Sequence, residues 1–154
     1  MRELLNELSE TPRRVSALVD AFRGDPRRKP SDDAFSVLEN VCHLRDIERL
    51  GYTPRIARML AEPDPFLPDV DGARVAADAD YNGTQDLRAA MAELVALREA
   101  NVARLESLTD AEWQRAGELE GAGRITLRDL VRKMIEHDRG HIAEIEALNE
   151  ADGG

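Results

Sequence analysis

The stretch 126-TLRDLVRKMIEHDRGHIAEIEALN-149 decides the fold. Leu127, Leu130, Val131, Met134, His137, His141, Ile145 and Leu148 recur every three or four residues, the period of a helix with one buried face. Thr126 with Asp129 three residues on opens it. The pattern predicts a helix to about Asn149, with residues 151–154 as a disordered tail.

The same period recurs upstream. The segment from about Glu3 to Phe22 carries Leu4, Leu5, Leu8, Val15, Leu18, Val19 and Phe22, with Pro12 as a kink or a fresh start. Ser36 and Glu39 form a capping box ahead of Leu38, Val41, His43, Leu44, Ile47 and Leu50, a helix that continues with a bend past Gly51 and Pro54 to Leu60. Proline, glycine and aspartate then dominate from Glu62 to Asn82, a connection of unusual length. A third helix follows from about Thr84 to Leu108, its apolar side opposite Arg and Glu. Thr109 and Glu112 cap a short turn around Trp113, and a glycine-bearing loop spans Gly117 to Gly123. No alternating strand pattern is evident. Four amphipathic segments predict an all-α fold: an antiparallel four-helix bundle, one domain over residues 1–150, with a long connection between the second and third helices.

Composition agrees. Ala and Leu (21 and 18) outnumber Val and Ile (9 and 6), and aromatics are 4%, a balance that favours helix over sheet. A formal charge of −10 argues against a nucleic-acid partner, which requires a basic face. No run approaches the roughly 20 apolar residues of a membrane span, and the charged N-terminal stretch MRELLNELSE is unlike a signal peptide. The single cysteine, Cys42, permits no internal disulfide; a cytoplasmic location is expected.

His137 and His141, at i and i+4, share one side of a helix about a turn apart, close enough to chelate one ion. His43, one turn before Ile47, also points inward, so every histidine of the chain faces the bundle. Three buried neutral imidazoles need three sets of hydrogen-bond partners, whereas one divalent cation satisfies all three. Three protein ligands leave coordination positions free, as in catalytic metal sites, and imidazole suits Zn, Ni or Fe. Asp46 and Glu144, each about one turn from a histidine, and Asp138 between the pair are candidates for orienting the ligands.

Two motifs compete. The sequence His137-Asp138-Arg139-Gly140-His141 is close to the zincin helix, but a glycine interrupts it and only 13 residues remain for the third ligand. Asp78 to Gly83 matches the first half of a calcium loop, but its twelfth position is Ala89 rather than glutamate.

At these residues the chain resembles the DinB-like family of metal-binding four-helix bundles, which includes YfiT-type proteins and the mycothiol- and bacillithiol-dependent S-transferases. The likeness covers nearly the whole chain. It runs through Ser36-x-x-Glu39, the segment His43 to Glu48, the run Leu97 to Val102 with Leu105, the turn Glu112 to Gly117, Thr126-Leu127 and His137-Asp138-x-x-His141. The resemblance implies His43, His137 and His141 as metal ligands, a homodimer, and a small-molecule substrate, with either a low-molecular-weight thiol or water as the activated nucleophile. It leaves open a non-catalytic, stress-associated bundle with a structural metal or none.

Overall fold

The structure, a computed structural model, describes residues 1–153. Four long segments form the bundle: α1 (Arg2–Ala21), α2 (Val37–Ile47), α6 (Leu87–Glu106) and α8 (Leu127–Gly153). Between them stand α3 (Thr53–Ala61), α4 (Gly72–Ala79), α5 (Tyr81–Thr84), α7 (Asp110–Trp113) and three short strands, β1 (Phe66–Leu67), β2 (Ala116–Leu119) and β3 (Gly123–Thr126). No helix among the described residues is long and apolar enough to cross a membrane.

The caps hold the helix starts where the sequence puts them. The Glu39 N–H donates to Ser36 Oγ at 3.0 Å and the Ser36 N–H to the Glu39 carboxylate at 2.9 Å. Thr126 and Asp129 exchange the same pair of bonds at 2.9 and 3.1 Å. Pro12 sits inside a continuous α1, and α2 passes through a wide π-type turn, Glu48–Tyr52, into α3. That turn falls just before Pro54, whose ring removes one backbone donor from the helical ladder. α8 runs unbroken through Gly140 and on through the expected tail, where the Asp152 carboxylate accepts the Arg23 N–H at 3.2 Å. Gly154 lies outside the described residues.

The bundle is not antiparallel throughout. α1 packs against α6 and α8, and α2 against the same two, so α1 and α2 occupy diagonal corners. Glu7 pairs with Arg139, Arg14 with Glu146 and Asn149 with the Leu18 carbonyl, so α1 and α8 run in the same direction. Arg45 faces Glu93 and Glu48 meets Arg98, so α2 and α6 are likewise parallel. Asn40 contacts His141 while His43 contacts His137, which makes α2 and α8 antiparallel. A parallel α2–α6 pair obliges the chain to travel back along the bundle between them. The long connection does this, and it is structured: Gly72 of α4 lies against His43, Tyr81 donates to Asp46 at 2.5 Å, and Ser36 donates to Asn82 at 2.8 Å.

The chain also forms a small sheet that the sequence pattern does not predict. β1 pairs parallel with β2, and β2 antiparallel with β3 through the turn at Gly121 and Gly123, whose φ angles are +83° and +82°. Strands of two to four residues allow at most two alternations, too few for a periodic signal.

Two apolar clusters fill the interior. One gathers Leu8, Ile56, Met59, Trp113, Leu127 and Met134; the other gathers Val15, Leu38, Val41, Leu94, Ile142 and Ile145. Between them lies a polar layer of Thr11 from α1, Arg98 from α6, Asp138 from α8 and Glu48 from the π-type turn that follows α2, all buried.

Candidate metal centre

His43 reaches this middle level from α2, and His137 and His141 from successive turns of α8. Ring centroids lie 5.2 Å apart for His43 and His137 and 4.6 Å for each of the other two pairs. Each ring offers a nitrogen within 4.8 Å of the others, and the trio is the one group of three or more metal-ligating side chains found among the described residues. His43 is buried, while His137 and His141 are each partly open to solvent.

The ring surroundings fix orientation. The Asn40 amide nitrogen donates to the Ser36 carbonyl at 3.0 Å, so its oxygen turns to His141 Nδ1 at 2.8 Å. That assignment places the proton on Nδ1 and leaves Nε2 free as a ligand. The His43 ring packs 5.3 Å from Phe35 on one side and abuts Gly72 on the other. Tyr52 stands edge-on to His137 at 6.2 Å.

Burial, reinforced by the neighbouring His141, lowers the His43 pKa to about 4. Burial followed by His141, His43 and Arg98 lowers that of His137 to about 3. His141 is also lowered by burial, against the opposing pull of Asp138. All three are neutral at pH 7, the form that binds a metal.

The trio fits a divalent cation. His43 Nε2 and His137 Nε2 stand 3.2 Å apart. Neighbouring nitrogens of a tetrahedral shell with bonds of about 2.0–2.1 Å are separated by about 3.3–3.4 Å, so the observed spacing is near that of two ligands of one ion. His137 Nδ1 is buried without a hydrogen-bond partner, and an ion held at Nε2 would leave that nitrogen unpaired. A donor set of imidazole nitrogens suits Zn, Ni or Fe and gives no preference among them.

The three carboxylates singled out from the sequence fall in different places. Glu144 lies 3.6 Å from His141 Nδ1 with its side chain half exposed, and burial raises its pKa. Asp46 is buried but accepts from Arg45, Arg49 and Tyr81 rather than from a histidine. Asp138 accepts from Thr11 at 2.7 Å and from two Arg98 nitrogens at 2.8 and 3.1 Å, which places it in the polar layer beneath the centre. Arg98 is buried within the bundle, contrary to its expected place on a polar side. It also binds Glu48 at 2.8–3.1 Å and the Leu8 carbonyl at 3.0 Å. Its spacing from Leu94 and Val102, four residues either way, was the signal for burial. Asn40 and Gly72, absent from the sequence candidates, also touch the histidine rings, beside Phe35 and Glu144.

Among the described residues, the calcium-like segment Asp78–Gly83 contributes to no cluster of three metal-ligating side chains. It forms the junction of α4 and α5, where Asp80 adopts φ +46° and the Asn82 side chain serves Ser36.

A histidine trio held between two antiparallel members of a mixed-direction helical bundle defines the class of protein. The chain belongs to the DinB superfamily, whose family model matches residues 7–145. A similar solved structure is YfiT from Bacillus subtilis, described as a probable metal-dependent hydrolase with an unusual four-helix bundle topology. The two share 24% identity with a TM-score of 0.88, over 99% of this chain and 87% of YfiT. No curated protein matches this chain.

Proposed function

We propose that the protein is a divalent-metal-dependent enzyme acting on a small molecule, with His43, His137 and His141 as the metal ligands. The observation that carries this reading is the convergence of three neutral imidazoles, two of them partly open to solvent, with facing Nε2 atoms 3.2 Å apart. A structural ion would call for a fourth protein ligand, and among the described residues no Cys, Asp or Glu joins the group.

The nucleophile comes from outside the chain. Cys42, the only thiol, is buried, and desolvation raises its pKa to about 11. A bound divalent ion lowers the pKa of water or of a low-molecular-weight thiol, so the two chemistries in view are hydrolysis and thiol transfer to an electrophile. The name given to YfiT supports the hydrolytic member of this pair. The protein's own residues hold the ligand rings: Asn40 orients His141, and Gly72 and Phe35 bracket His43. The homodimer implied by the family resemblance belongs to the same reading, and a monomeric mass by sedimentation at micromolar concentration would remove it.

Elemental analysis of untagged protein tests the centre. Near-stoichiometric metal is expected, lost in His43→Ala; absence of metal after incubation with Zn, Ni or Fe would overturn the proposal. Ester and amide panels, and thiol-plus-electrophile pairs, then assign the chemistry, and turnover that survives chelation would refute metal dependence.

A further inference from the structure

We propose that an apolar cavity beside the histidines binds the non-reacting part of the substrate, so that the centre acts on uncharged molecules bearing an alkyl or aryl group. This rests on the metal-centre reading and adds to it the class of substrate.

The cavity, about 450 Å³, lies between the α1–α2 connection and the last turns of α8. Pro30, Ala34 and Phe35 form one wall; Ala147, Leu148 and Ala151 form the other. The volume is within the range of small-molecule pockets. Two of its lining residues also touch the centre. Phe35 packs 5.3 Å from His43 and stacks on His141 at 6.3 Å, and the Glu144 carboxylate lies 3.6 Å from His141 Nδ1. A larger cavity of about 660 Å³ is walled by α1 and α6, neither of which carries a histidine.

The layout of α8 places the two regions side by side. Positions 137, 141, 144, 148 and 151 advance by three or four residues and therefore follow one stripe of the helix. Along it the side chains change from two imidazoles through one carboxylate to leucine and alanine. The opposite wall is held in place. Phe35 immediately precedes Ser36, whose capping box and bond to Asn82 fix the backbone, and the Leu38 N–H donates to the Pro26 carbonyl at 2.9 Å. The charged side chains lining the cavity, Asp33 and Glu144, are both acids, which disfavours an anionic tail. A hydrocarbon group seated here would leave the polar, reacting end of the molecule beside the histidines.

The test uses cobalt(II)-loaded protein and a series of hydroxamates, acetyl, butanoyl and hexanoyl, read by cobalt d–d absorption. Affinity is expected to tighten about fourfold per added methylene until the cavity is filled. Ala147→Trp fills the cavity from one turn of α8 and Ala151→Phe from the next. Each is expected to flatten the series while leaving cobalt stoichiometry and acetohydroxamate affinity unchanged, and cobalt stoichiometry reports whether each variant is folded. A flat series in the wild-type protein, or an undiminished slope in the folded variants, overturns the subsite. Failure of the wild-type protein to take up cobalt overturns the metal centre instead, and the subsite with it.

Discussion

Replacing Gly72 by alanine should weaken metal binding more than it lowers the stability of the metal-free protein. Gly72 opens α4, where Asp71 caps the helix by accepting the Arg74 N–H at 3.1 Å. Its φ lies outside the left-handed region, so the backbone accepts a side chain without strain. In that setting Gly→Ala stabilises by about 0.4–1 kcal/mol, chiefly by restricting the unfolded chain. The added Cβ, however, would stand 2.7 Å from His43 Cε1 and 3.1 Å from Ile47 Cδ1. Ordinary carbon contacts are about 3.5–4.0 Å, so the imidazole must retreat by most of an ångström or α4 must lift. Overpacking of this kind costs about 1–3 kcal/mol, which leaves a net loss of about 0–2.6 kcal/mol.

The metal responds more sharply, because ligand distances tolerate only about 0.2 Å of deviation. Disturbing the supports of a ligating histidine typically weakens binding about 10–100-fold, and that is the loss expected here. Zinc affinity of the metal-free protein, measured by competition with a chromophoric chelator, gives the number; thermal melting of the same sample gives the stability. Gly140→Ala is the control. Gly140 lies between His137 and His141 on the exposed side of α8, and a Cβ there meets nothing within 4 Å. That variant should gain about 0.5–1 kcal/mol of helix stability and bind zinc like the wild type. Wild-type affinity in Gly72→Ala, or an equal loss in Gly140→Ala, would refute the claim that the crossover positions His43.

Asn40→Ala removes the acceptor of the His141 Nδ1–H and should also lower zinc affinity about 10–100-fold, whereas Asp46→Asn should lower stability with a smaller change in affinity. Equal losses of affinity in the two would show that Asn40 has no special orienting role. Arg98→Met leaves Glu48 and Asp138 buried without their shared cation and should cost about 3–5 kcal/mol in urea denaturation; a loss under about 1 kcal/mol would contradict the network. Acid should destabilise the metal-free protein. His43 and His137 titrate near 4 and 3 when folded but near 6.5 when unfolded, so in that window the unfolded chain binds more protons. Stability therefore rises with pH from about 3 to 6.5, by up to about 1.4 kcal/mol per pH unit for each ring. His137→Asn should reduce that slope, and an unchanged slope would assign the acid sensitivity to carboxylates.

The readable part of this protein is what one helical turn encodes. Ser36 with Glu39 and Thr126 with Asp129 announce helix starts because capping is a bond between residues three apart, and the α8 stripe is legible because 3.6 residues return a side chain to the same face. The proximity of His137 and His141 follows from the same arithmetic. Arg98 illustrates the limit: its spacing lies on the apolar stripe, but its charge suggested solvent. Only partners 40 and 50 residues away, Asp138 and Glu48, explain its burial. The orienting groups of the centre are only partly legible, for a related reason: Glu144 does lie 3.6 Å from His141 Nδ1. Sequence distance favoured Asp46, one turn from His43, yet Asp46 turns to Arg45, Arg49 and Tyr81, while Asn40 crosses from α2 to His141 on α8.

The least legible segment, between Glu62 and Asn82, is tied to the centre by topology. Had α2 and α6 been antiparallel, a short turn would have joined them and the outer face of His43 would lack α4. Because they are parallel, the chain must return along α2, and the return laid against that helix carries Gly72 to the imidazole and Tyr81 to Asp46. The glycine is required by how closely α4 lies on His43 rather than by any turn. A shorter connection would thus alter the histidine surroundings as well as the path of the chain. This links the mixed direction of the bundle to its chemistry: the crossover that the parallel pair demands forms one side of the candidate metal centre.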